Sequence, residues 1–121
     1  MKNNILIYDD DAEILLLCKA ILAKYNYKVE TLSRCDNILS DIEKHDPGLI
    51  LMDLWIPDIG GEKAIAIVKN DKNLKVPILI FSANADLKNI SEKVNADGYL
   101  EKPFTINSFI ETINKHLNQR L

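Results

Sequence analysis

The sequence predicts an α/β fold in which five strand-then-helix units, (βα)5, form a doubly wound, parallel, five-stranded sheet. Three observations carry that expectation. Five short apolar runs, NILIYD, YKVETL, GLILMD, PILIFSA and GYLEK, recur along the chain as strand candidates. Helical-period segments lie between them. The first, third and fourth runs are almost continuously apolar, as suits strands covered on both faces, and such strands are joined by right-handed crossovers.

Taken in order, NILIYD is the first strand, and the helix after it carries a broad apolar face of Ile14, Cys18, Ile21 and Tyr25 with Leu15 and Leu22 beside them. Asp10 with Glu13 fits a capping box at its start, and Asp11 in its first turn complements the helix dipole. YKVETL is followed by a helix over about 35–45 with Ile38, Leu39 and Ile42. The turn signal DPG at 46–48 leads into GLILMD, and a helix over about 61–71 shows Ile65 and Val68. Pro77 opens PILIFSA, and the fourth helix, about 86–95, shows Leu87, Ile90 and Val94. GYLEK precedes a last helix with Ile106, Phe109, Ile110, Ile113 and Leu117 on one face.

Length and composition bound the function. A chain of 121 residues, 47% of them hydrophobic, fits one domain over 1–121 with a single core. The net charge of -3 gives no basic footprint, so direct nucleic-acid contact is not expected. No apolar run is long enough for a membrane span, and MKNNILIYDD lacks the pattern of a signal peptide, so a cytoplasmic protein is expected. Cys18 and Cys35 have no CxxC or His/Cys ligand spacing and are read as reduced thiols, Cys18 in the core; His45 and His116 have no ligand spacing either. Met1 lies just before the first strand and NKHLNQRL just after the last helix, so a stand-alone domain and one separated from an output domain both fit.

An open parallel sheet places its site outside the carboxyl ends of its strands. There the sequence gathers Asp9, Asp10 and Asp11 after the first strand, Asp53 after the third, Ser82 at the end of the fourth and Lys102 after the fifth. Two like charges about 4 Å apart repel by roughly 4 kcal/mol at an effective dielectric near 20, so such a cluster needs a counter-charge. Hard oxygen donors without histidine or thiolate partners favour Mg2+. A carboxylate beside a bound cation can itself attack phosphorus and form an aspartyl phosphate, while the cation and a lysine stabilise the phosphoryl oxygens.

Asp9 and Asp10, MDLWIPDIGG around Asp53, FSA at Ser82, and ADGYLEKPF with Tyr99 and Lys102 together resemble the receiver domain of response regulators, similar to the single-domain chemotaxis type, over the full chain. The resemblance implies the flavodoxin-like strand order 2-1-3-4-5. It implies that Asp53 accepts phosphate from a histidine kinase or histidine phosphotransfer protein, with Lys102 and Ser82 assisting. Mg2+ would be ligated by Asp10, Asp53 and the backbone carbonyl of Trp55, and by Asp9 through water. Ser82 and Tyr99 would form a switch that alters the face made by the fourth helix, fifth strand and fifth helix toward a downstream protein or output domain, with homodimerisation on phosphorylation an open outcome. Such a switch catalyses only its own phosphorylation and dephosphorylation and is otherwise no enzyme.

The resemblance also implies a cis Lys102–Pro103 peptide, and a role for Trp55 and Asn84 in admitting water to the phosphorylated aspartate. Ile56 stands where methionine is common, and Asn95 where glycine is common. Two other readings remain. A phosphohydrolase of the haloacid dehalogenase type would use Asp9 and Asp11 as a D-x-D pair, although the following AE lacks its expected context. A degenerate receiver would serve only as a binding module.

Overall fold

A computed structural model describes residues 3–83 and 86–118. The elements alternate as expected: β1 (Asn4–Tyr8), α1 (Ala12–Lys24), β2 (Lys28–Leu32), α2 (Ile38–His45), β3 (Leu49–Met52), α3 (Gly61–Asn70), β4 (Ile78–Ser82), α4 (Leu87–Val94), β5 (Gly98–Glu101) and α5 (Ile106–Asn118). All strand pairs are parallel, and the sheet order is β2-β1-β3-β4-β5.

Strand side chains alternate between faces, and this sorts the core into two halves. Leu6, Tyr8, Ile50, Met52, Ile78 and Ile80 face α2, α3 and α4, where Ile38, Ile42, Ile65, Val68 and Leu87 meet them. Ile5, Ile7, Leu49, Leu51, Leu79 and Phe81 face α1 and α5, packing on Cys18, Ile21, Leu22, Phe109, Ile110 and Ile113. Burial on both faces explains why β1, β3 and β4 read as unbroken apolar runs.

Some expectations need correction. The cap of α1 is Asp11, not Asp10: the helix begins at Ala12, and the Asp11 carboxylate accepts from the N–H groups of Glu13 and Ile14 at 3.0 and 3.4 Å. Asp10 lies one residue too early to reach them. Tyr25, Leu39 and Ile106 are exposed rather than part of their helices' buried faces. Tyr25 is the residue after α1, Leu39 is turned about 100° from the buried Ile38 beside it, and Ile106 is the first residue of α5. Asn95 ends α4 at φ 61, a left-handed conformation that asparagine adopts more readily than most residues other than glycine.

Candidate functional site

Register brings the carboxylates together. Tyr8 pairs with Met52 across β1 and β3, so Asp9 and Asp53, the next residues on each strand, leave the sheet side by side. Their backbones stay tied to the strands: Asp53 N–H donates to the Tyr8 carbonyl and Asp9 N–H to the Leu32 carbonyl, both at 3.0 Å. One oxygen from each of Asp9, Asp10 and Asp53 lies within 4.8 Å of the others. Asp9 is fully buried, Asp53 is 5% exposed, and Asp10 faces solvent.

A glycine sets how closely the neighbouring helix approaches. A Cβ on Gly61, the first residue of α3, would fall 2.2 Å from the Asp53 carbonyl oxygen and 2.8 Å from the Leu54 Cα. Only glycine permits that contact. The Gly61 N–H donates to the Leu54 carbonyl at 3.2 Å, which ties the loop after Asp53 to the helix.

Lys102 supplies the cation. Its Nζ donates to Asp9 Oδ2 at 2.5 Å and stands 3.7 Å from Asp53 Oδ2. The second Asp9 oxygen accepts from the Asp11 N–H at 2.9 Å, and Asp53 Oδ1 accepts from the Trp55 N–H at 3.4 Å. Burial pushes the Asp53 carboxyl above the ordinary aspartate range and is the largest influence on it. The Lys102 ammonium opposes that rise, the Asp9 carboxylate adds to it, and the Trp55 N–H favours the charged form.

The β4 and β5 ends complete the edge. Ser82 pairs with Glu101, and the Lys102 N–H donates to the Ser82 carbonyl at 2.9 Å. Ser82 Oγ is buried and has no hydrogen-bond partner among the described residues. Tyr99 lies on β5 with its ring exposed. The Lys102–Pro103 peptide is cis, as the resemblance implies.

The structure thus brings Asp9, Asp10, Asp53 and Lys102 into one cluster, with Ser82 on the same sheet edge. Asp11 is occupied as a helix cap, and Tyr99 stays at the surface. Trp55 is 69% exposed and helps line a groove with Ile59, Lys63 and Ile90. Asn84 lies outside the described residues. Sequence reasoning missed Phe81. The Lys102 ammonium sits over its ring, 4.6 Å from the centroid, yet in sequence Phe81 looks like any apolar residue of a buried strand.

Residues 5–114 match the response regulator receiver domain family. The chain belongs to that family. This receiver domain is 28% identical over 120 residues to Transcription factor SKN7 of Saccharomyces cerevisiae, a match covering 98% of this chain and 19% of that protein. It is 27% identical over 121 residues to the polar-differentiation response regulator DivK of Brucella ovis, covering 97% and 98% of the two chains. A CheY-like response regulator receiver domain protein of Methanospirillum hungatei has the same fold, with a TM-score of 0.84 and 30% identity, covering 98% of this chain and 96% of that one. Among the described residues, no helix of the receiver domain is long and apolar enough to cross a membrane.

Proposed function

We propose that this receiver domain is a phosphoacceptor switch in which Asp53 takes a phosphoryl group from a histidine kinase or histidine phosphotransfer protein. The observation that carries the reading is the buried Ser82 hydroxyl, without a hydrogen-bond partner among the described residues, on the edge where Lys102 stands 3.7 Å from Asp53. A buried hydroxyl left unpaired costs about 1–3 kcal/mol, and an acceptor added at Asp53 would relieve that cost.

An Asp53 oxygen donates an electron pair to phosphorus as the N–P bond of the phosphohistidine breaks. That bond's electrons return to the imidazole nitrogen, which takes up a proton, and an acyl phosphate remains on Asp53. The cluster fits a hard divalent ion, since it offers carboxylate oxygens within 4.8 Å of one another without histidine or thiolate. Asp10, Asp53 and the Trp55 carbonyl would hold Mg2+, with Asp9 through water, and the ion would neutralise the crowded charge and polarise the phosphoryl oxygens. Lys102 offsets the charge that remains, and Asp9 holds its ammonium beside the reacting oxygen.

Charge-assisted hydrogen bonds contribute about 1.5–3 kcal/mol each, so Ser82 and Lys102 together could supply roughly 3–6 kcal/mol. Inverting a 1:99 population takes about 5.5 kcal/mol. The exposed Tyr99 and Ile106 lie on the α4, β5 and α5 side, where the change would reach a downstream protein or output domain. The D-x-D phosphohydrolase reading is disfavoured, because the Asp11 carboxylate is spent on the N–H groups of α1.

Acetyl phosphate with Mg2+ is the test. Mass spectrometry is expected to place one base-labile phosphate on Asp53 and none on an Asp53→Asn variant. Phosphate on another residue, or none with Mg2+ present, overturns the reading.

A further inference from the structure

We infer that Phe81 is a positioning residue for phosphotransfer, its ring face holding the Lys102 ammonium beside Asp9 and Asp53. The inference rests on the phosphoacceptor reading. Lysine is a compact cation on a flexible stem, and here the stem comes from the far side of β4 to reach carboxylates at the ends of β1 and β3. Asp9 restrains the ammonium from one side, and the Phe81 ring lies 4.6 Å away by its centroid. The negative face of an aromatic ring attracts a cation, and the attraction strengthens where water is excluded. The Lys102 side chain is 15% exposed and Phe81 is fully buried, so this contact is largely desolvated.

The ring does something a carboxylate could not. It attracts the ammonium without accepting a directional hydrogen bond, so the N–H donors not given to Asp9 stay free for phosphoryl oxygens. An aliphatic side chain would fill the same space and offer the charge nothing. The ring is itself well fixed: its centroid lies 5.5 Å from that of Phe104 and 6.1 Å from that of Phe109, and those two stack at 4.7 Å. Phe104 is two residues after Lys102, so one short segment contacts Phe81 through both its cation and its aromatic ring.

The test compares wild type, Phe81→Leu, and protein with Phe81 replaced by a trifluorinated phenylalanine, which keeps the ring's shape and strips its negative face. Labelling of Asp53 by acetyl phosphate with Mg2+ is expected to slow about fivefold in both altered proteins. NMR of the Lys102 side chain, without metal or phosphodonor, is expected to show ring-shifted ε-protons in wild type that return toward free-lysine positions in Phe81→Leu. Labelling within twofold of wild type in the fluorinated protein overturns the inference, even if Phe81→Leu is slow, because shape rather than ring charge would then matter. ε-Protons unshifted in wild type also overturn it. If wild type itself takes no label, the phosphoacceptor reading fails, and the ε-proton shift alone decides whether the ring holds the ammonium.

Discussion

At the ends of β1 and β3 each carboxylate already has a donor or solvent: Asp9 accepts from Lys102 and Asp11, Asp53 from Trp55, and Asp10 faces water. At the ends of β4 and β5 the Ser82 hydroxyl has no partner among the described residues, and the Lys102 ammonium sits 2.5 Å from Asp9 but 3.7 Å from Asp53. The first half is a nearly finished surface whose cost is crowded charge. The second keeps a buried hydroxyl without a partner among the described residues, a donor that an acceptor added near Asp53 would use. A two-state switch requires this kind of difference, since a ligand shifts an equilibrium only through contacts that differ between states.

The comparison breaks most severely at the backbone of the carboxylate half. Gly61→Ala sets a Cβ 2.2 Å from the Asp53 carbonyl oxygen, and a loss of about 3 kcal/mol is expected, read as a lower urea midpoint at unchanged slope. Stability within about 0.5 kcal/mol of wild type would mean that α3 does not hold the Asp53 loop so closely.

Ser82→Ala sharpens the comparison from the other half. Removing a buried hydroxyl that has no partner among the described residues is expected to raise stability by about 1 kcal/mol while impairing the response to phosphorylation. A loss of similar size would show that Oγ is already bonded before any phosphoryl group arrives.

Asp53→Asn has a smaller effect, set by conditions. Burial raises the Asp53 carboxyl in the folded state, so its contribution to stability is most favourable below the ordinary aspartate range and is lost as pH rises through the raised folded value. Without divalent ion, the variant is expected to melt several degrees above wild type near pH 7, with the gap narrowing toward about pH 4. Thermal melts across that range check this; a gap that widens on acidification contradicts it.

Much of this was legible beforehand because the fold depends on pattern. Unbroken apolar runs marked the strands buried on both faces, and the polar residues that ended them marked the site. The strand order came from the resemblance, and the Tyr8–Met52 register then set Asp9 beside Asp53. What stayed hidden depends on where side chains meet. Phe81 alternates with Ile80 like any strand residue, and nothing in its neighbours reveals a lysine over its ring. Gly61 reads as the start of the helix expected over about 61–71, and its pattern does not reveal the Asp53 carbonyl beneath it. Asp10 and Asp11 compete for one cap, and a single residue of helix start decided between them.

The central claim is that phosphorylation at Asp53 is answered by the β4 and β5 half. Backbone amide NMR shifts, recorded before and during acetyl phosphate treatment with Mg2+ in wild type and Asp53→Asn, test it directly. The expected result is that Ser82, Tyr99 and Lys102 shift in wild type alone, together with residues of α4. Shifts confined to Asp9–Asp11 and the loop after Asp53, with Ser82 and Tyr99 unmoved, would contradict the account.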